Sequence, residues 1–205
     1  MTQGKHLVAE YRLNLKNIHA AALTELIATM LQQLNLSMTD LGAIAVSIGP
    51  GSFTGLRIGL STAKGLALGS ALPIVTVPTL LALAGEAPCT SGLVCPMLKS
   101  RATEYYYAVY QRERFVDFLL QEPSLVQKEK IVSVLPAGAM LIGQLQELNN
   151  DERIVNKFIC APEHYMPTAC SIARLGYEKF KAGDIAAFET VEPMYFQEFI
   201  AVKQT

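Results

Sequence analysis

Apolar residues follow two rhythms along this chain, a helical period and a set of short unbroken runs. Leu23, Leu26, Ile27, Met30, Leu31 and Leu34 recur at i, i+3, i+4, i+7, i+8 and i+11, with Thr24, Glu25, Gln32 and Gln33 on the opposite side. That spacing predicts an amphipathic helix over 18–35, with Asn17 as its N-cap. Residues 43–48 (AIAVSI) form a short apolar run ended by Gly-Pro-Gly, the pattern of a strand buried on both faces. A helix is predicted from Ser52 to Gly69, a second buried strand from Ile74 to Val77, and a short helix from Pro78 through Ala84. Strand, helix and strand in this order make a parallel βαβ unit with a right-handed crossover. Residues 7–13 (LVAEYRL) alternate imperfectly and predict a further strand ahead of it.

The texture changes after Gly85–Gly92 (GEAPCTSG), a run of turn-formers and small residues that reads as a junction. Beyond it, Val94–Leu98, Tyr105–Tyr110 and Arg114–Leu120 predict strands, and Ala139–Gly143 another. Thr168–Lys181 predicts a helix with Ala169, Ile172, Ala173, Leu175 and Gly176 available for packing. The chain therefore divides into two α/β lobes, 1–92 and 93–205. In Tyr105-Tyr106-Tyr107 and Tyr110, rings alternating between core and surface explain the aromatic run more simply than base stacking does.

Composition narrows the picture. The chain has 205 residues, 51% of them apolar, and 17 basic residues against 18 acidic ones for a net charge of −1. Its mean hydropathy is +0.28. These values exclude a disordered chain, and they argue against a basic face that grips phosphate backbones, so any nucleic acid is expected to be met indirectly. The most apolar stretch, Gly65–Val77, is broken by Pro73 and too short to span a bilayer. The N-terminus lacks the apolar core of a secretory signal, and a cytoplasmic protein is expected. Cys89, Cys95, Cys160 and Cys170 form no CxxC pair, so four reduced, mostly buried thiols are expected, and no metal.

The candidate chemistry is concentrated in residues 48–69, IGPGSFTGLRIGLSTAKGLALG. Gly49-Pro50-Gly51-Ser52 forces a tight turn after a strand, and Ser52 or Thr54 can cap the helix that follows. Strand, Gly-rich turn and helix N-terminus make an anion site, or simply a turn that lets strand and helix pack closely. The spacing matches neither a Walker A loop nor the dinucleotide GxGxxG. Within the helix, Gly55, Gly59, Ala63 and Ala67 recur every four residues. Glycine inside a helix costs roughly 1 kcal/mol relative to alanine, so this face expects a close backbone neighbour, either the 18–35 helix or a partner. Arg57 sits in the first turn, where the dipole disfavours a cation, and so expects a specific acceptor. His6, His19 and His164 form no HExxH pair, and no GxSxG elbow is present.

The phrase GPGSFTGLRIGLSTAKGLA, then PTLLALA, then PMLKSRATEYYYAVY, resembles the TsaB (YeaZ) family of bacterial tRNA threonylcarbamoyladenosine synthesis, over nearly the whole chain from Gly4 to the PMYF at Pro193–Phe196. The motif loop is Gly49, Pro50, Gly51, Ser52, Phe53, Thr54 and Gly55. The resemblance implies an α/β fold of the actin/sugar-kinase/Hsp70-like (ribonuclease H-like) two-lobe kind. It implies a non-catalytic partner subunit, pairing with a TsaD-like catalytic subunit and a TsaE-like ATPase that brings ATP to the complex. No cofactor is expected on this chain. Partner or homodimer contacts are implied on two helices, at His19, Leu23, Leu26, Ile27 and Met30, and at Gly55, Arg57, Gly59 and Ala63. Two departures stand out. The family's opening strands, with their phosphate loop, have no counterpart before Met1, so N-terminal strands are expected to be missing. Lys99-Ser100-Arg101 stands where the family more often has Asp-Ala-Arg. A glycoprotease-like peptidase and a small-molecule kinase of the same fold are the alternatives.

Overall fold

The computed structural model describes residues 1–13, 20–161 and 165–195, which leaves Asn17, His19 and His164 outside the described residues. A small hairpin opens the chain, β1 (Thr2–Gln3) with β2 (His6–Leu7). Residues 8–13 continue without regular pairing, so the strand expected over 7–13 is reduced to its first residue. The apolar positions of LVAEYRL never settle into strict alternation, and nothing holds them to one face of a sheet.

Helix α1 (Ala20–Gln33) places Leu23, Leu26, Ile27 and Met30 half-buried and Leu31 buried, with Thr24, Glu25, Gln32 and Gln33 exposed, as the stripe requires. Strand β3 (Ile44–Ser47) runs parallel to β4 (Ile74–Val77), joined by α2 (Phe53–Ser70) as the crossover. Among the described residues β3 and β4 pair only with each other. All four residues of β3 are half-buried, whereas the apolar run predicted burial on both faces. Helix α3 (Thr79–Ala84) follows directly, with Pro78 at its N-cap.

The second sheet has the order β7-β6-β5-β8-β9. Strands β5 (Ser91–Lys99), β6 (Glu104–Glu113) and β7 (Val116–Gln127) form an antiparallel meander; β8 (Met140–Gly143) runs parallel to β5, and β9 (Ile159–Cys160) parallel to β8. Two short helices, α4 (Ile131–Val134) and α5 (Glu152–Val155), were not predicted; each is a single turn, below the length at which periodicity shows. The tyrosine run behaves differently from expectation. Tyr105 and Tyr107 are buried on one face with Met97, Val109, Ile131 and Ile154. Tyr106 and Tyr110 pack on the other with Leu80, Leu83 and Val94. Strand β6 is interior and packed on both faces, so Tyr105, Tyr107 and Tyr110 are buried and Tyr106 is half-buried. Of the four free cysteines only Cys95 is fully buried, fewer than expected, and burial pushes its thiol well above the ordinary range.

Helix α6 (Ala169–Lys181), which the division of the chain at 92 groups with the second half, packs on β3 and β4. Gly176 makes this approach possible, since a Cβ there would lie 2.5 Å from the Cβ of Ala45. Thr168 and Ser171 form a capping box at its start, and the Glu10 carboxylate accepts the Cys170 N–H at 3.0 Å. Burial raises the pKa of Glu10, but the N–H groups of Cys170 and Ala169 and the Arg12 guanidinium outweigh it and hold the carboxyl below its usual range.

The end of α3 and the segment after it are tied to the second sheet by Arg112 of β6, whose side chain is buried with all five N–H donors engaged. Nε and Nη2 donate to the two oxygens of Asp117 at 2.8 and 2.7 Å. Nη1 donates to the carbonyls of Ala87 and Cys89 at 2.8 and 3.2 Å, and Nη2 to that of Ala84 at 2.5 Å. The C-terminal end of α3 and the junction 85–92 are thereby held against the second sheet.

Two expectations follow. Arg112→Met leaves Asp117 and the carbonyls of Ala87 and Cys89 without the guanidinium donor, and should lower unfolding free energy in urea by about 3–5 kcal/mol; adding Asp117→Leu should recover part of it. Glu10→Gln should cost about 1 kcal/mol near neutral pH, the usual contribution of a capping side chain. Because the folded pKa is depressed, that contribution is complete above the ordinary value of 4.5 and fades as pH falls through the folded value. Melting curves of the two proteins should therefore converge on acidification.

Candidate partner interface

The site is built outward from the end of β3. Gly49 takes φ +113, a conformation side chains rarely adopt, and turns the chain sharply away from the strand. Its carbonyl accepts the Thr79 N–H at 2.8 Å, and Ser47 Oγ lies 2.6 Å from Thr79 Oγ1, so α3 anchors the loop from beneath. The Ile48 carbonyl accepts the Met194 N–H at 2.7 Å. A Cβ on Gly49 would stand 3.1 Å from the Met194 carbonyl oxygen. The segment 191–195 therefore lies directly over the loop. Ser52 caps α2 by accepting the Gly55 N–H at 3.3 Å, one of the two caps the sequence allowed.

Arg57 has an acceptor. Its Nε donates to the Tyr195 hydroxyl at 3.1 Å, and its guanidinium carbon stands 3.9 Å from the Phe53 ring centroid and 5.8 Å from that of Tyr195. The two rings are 5.3 Å apart at 42°. A cation held over two aromatic faces offsets the unfavourable helix dipole at this position. Tyr195 was missed as a site residue: the PMYF segment was noted, but nothing local to it indicates a contact nearly 140 positions back.

Small residues along α2 divide into two groups. Ala63 and Ala67 are buried, whereas a Cβ on Gly59 would meet nothing within 4 Å and one on Gly55 would meet only Ser52. Of the two neighbours the sequence left open, α1 packs against α2 but not over Gly59. The other predicted contacts lie elsewhere. Leu23, Leu26, Ile27 and Met30 line a cavity of about 590 Å³ with Ile44 and Tyr177. They face the interior of this chain at least in part, while Gly55, Arg57 and Gly59 are presented outward. Lys99, at the departure from the family pattern, pairs with Glu147 and donates its backbone N–H to Gln144 Oε1 at 2.7 Å.

The exposed end of α2 thus offers an open glycine row beside a stacked guanidinium, which is suited to receiving a closely packed helix. Fold and loop together define an actin-like α/β protein with a Gly-Pro-Gly turn leading into a glycine-rich helix. A family model described as TsaD, tRNA N6-adenosine threonylcarbamoyltransferase, matches residues 9–186. The tRNA threonylcarbamoyladenosine biosynthesis protein TsaB of Escherichia coli (strain K12) is 31% identical over 200 residues, covering 91% of this chain and 84% of that protein. The TsaB of Bacillus subtilis (strain 168) is 29% identical over 189 residues, covering 87% and 81%. The solved structure of YeaZ from Pseudomonas aeruginosa superposes with a TM-score of 0.75 at 24% identity, over 87% of this chain and 84% of that one. The chain belongs to the TsaB (YeaZ) family, whose fold it shares.

Gly49→Ala should cost roughly 1–3 kcal/mol, because both the positive φ and the Met194 carbonyl oppose a Cβ. Amide exchange at Met194 should accelerate in the variant, showing that the 191–195 segment has left the loop.

Proposed function

We propose that this chain is a non-catalytic partner subunit of tRNA threonylcarbamoyladenosine synthesis. It pairs with a TsaD-like catalytic subunit, while a TsaE-like ATPase handles the ATP the complex uses. The reading rests on membership of the TsaB family together with one structural observation, the open glycine row at Gly55 and Gly59. Glycines in a helix are unfavourable unless something packs closely on them. Self-pairing through the same helices is a competing use of that face. The net charge of −1 agrees with indirect rather than direct handling of tRNA. Among the described residues no helix is long and apolar enough to cross a membrane.

Gly59→Leu provides the test. Among the described residues nothing lies within 4 Å of a Cβ at this position, and the substitution removes a helix-weakening residue, so the isolated protein should melt at the same temperature or slightly higher. Affinity for a co-expressed TsaD-like subunit should fall at least about tenfold, equivalent to about 1.4 kcal/mol, measured by calorimetry. Unchanged affinity would remove α2 from the interface.

A further inference from the structure

Arg57 is held in place without being neutralised. Its Nε is spent on a neutral group, the Tyr195 hydroxyl, and among the described residues it joins no ion pair. Nη1 and Nη2 donate to no described residue. An exposed arginine ordinarily keeps its charge in water at the end of a mobile stem. Here the stem is restrained from two sides. Phe53 opens α2, and its ring lies 3.9 Å from the guanidinium carbon. Tyr195 arrives on the segment 186–195, which is pinned at both ends. The Ala186 N–H reaches the Ile74 carbonyl at 2.9 Å, and the Met194 N–H reaches that of Ile48 at 2.7 Å. In between, the Phe188 ring stands 5.6 Å from Lys64 Nζ. Lys64 and Arg57 are seven residues apart and share one flank of α2, so the segment follows that flank.

This flank is neither a nucleic-acid surface nor the glycine row. From Ile48 to Ala63 the only charged residue is Arg57, and the segment beside it carries Glu189 and Glu192. Gripping a phosphate backbone takes several cations along a track. Gly55 and Gly59 each lie two positions from Arg57, about 160° round the helix from it. We propose that the Nη1–Nη2 edge of Arg57 receives a carboxylate, an aspartate or glutamate side chain of the TsaD-like catalytic subunit. A planar fork already fixed over an aromatic face matches a carboxylate in bidentate geometry and loses little freedom on binding it. Covered by the partner, the pair is shielded from water and its attraction grows. Tyr195 is a positioning residue: its hydroxyl fixes Nε and with it the direction of the free edge. This contact rests on the partner-subunit reading above, yet it lies on another flank of the helix, so the two are tested apart.

The test is the affinity for the purified TsaD-like subunit, by calorimetry at about 0.05 M and about 0.5 M NaCl. Arg57→Met keeps an unbranched stem over Phe53. It should raise the dissociation constant at least about tenfold at low salt, with the gap narrowing at high salt. Arg57→Lys should recover only part of the loss, because an ammonium cannot fork, and Tyr195→Phe should show a smaller loss with the same salt dependence. Carbodiimide treatment of the complex formed by Arg57→Lys should link position 57 to an aspartate or glutamate of the subunit. Linkage to Glu189 or Glu192 of this chain instead overturns the proposal. So does a loss that is equal at both salt concentrations, or one confined to tRNA binding by the assembled complex. If Arg57→Met binds normally while Gly59→Leu does not, this contact falls and the partner reading stands. If the unaltered chain forms no complex, both fall.

Discussion

The structure depends on a buried guanidinium. Among the described residues Arg112 is the only charged side chain of the large, fully buried ones, and it is tolerated because each of its N–H groups meets an oxygen. Two of those oxygens neutralise its charge, and the other three are backbone carbonyls, of which that of Ala84 also accepts the Ala87 N–H. A helix ends with carbonyls its own ladder cannot use. Here the end of α3 is closed by local turn bonds, Glu86 N–H to the Leu83 carbonyl and Ala87 N–H to that of Ala84, and by a side chain from the neighbouring sheet, so the junction 85–92 is fixed by both. Apolar packing of Leu80, Leu83 and Ala84 on Val94, Ala108 and Ile142 brings the two parts together; the hydrogen-bond fork fixes their registration.

A second constraint is distance. Gly176 lets α6 approach β3, and at Gly143 a Cβ would lie 2.1 Å from the Met97 carbonyl oxygen, where β8 meets β5. At both positions a side chain would force backbone apart, and at Gly143 the φ of +125 adds strain. The fold is thus assembled by close approaches at a few points, with Glu10 and Thr168 fixing the start of the α6 helix that closes the first sheet.

Most elements of both sheets were legible because each carries a strong local signal. The stripe of α1, the apolar run of β4 and the Thr168 cap each specify their structure within a few residues. Local patterning could not reveal which surfaces those elements meet. Arg112 reads as one more charged residue in a strand, and only the fold brings Asp117 and three carbonyls around it. Tyr106 reads as surface because alternation assumes one wet face, whereas its face of β6 packs against Leu80, Leu83 and Val94 and leaves it half-buried. The candidate site divides the same way. The Gly-Pro-Gly turn and the Ser52 cap could be read directly from the sequence, but the contact of Tyr195 with Arg57 spans almost the whole chain and leaves no local trace. Leu23, Leu26, Ile27 and Met30 were apolar on a helix face, which periodicity alone cannot assign to a core or a partner.

The glycines of α2 carry the argument furthest, because they differ from the others in what surrounds them. Gly55, Gly59, Gly65 and Gly69 fall within an arc of about 120° on the helical wheel. A Cβ on Gly59, Gly65 or Gly69 would meet nothing within 4 Å. Alanine at each would fit among the described residues and strengthen the helix by roughly 0.5–1 kcal/mol, so those residues give no packing reason for glycine there. At Gly176 and Gly143 the reason is visible within the chain as a neighbour that leaves no room for a side chain. A row of helix-weakening residues with no such neighbour among the described residues is what the proposed partner contact would explain, through a second backbone approaching from outside, and this is why the proposal rests on the face of α2 and not on the cavity beneath α1.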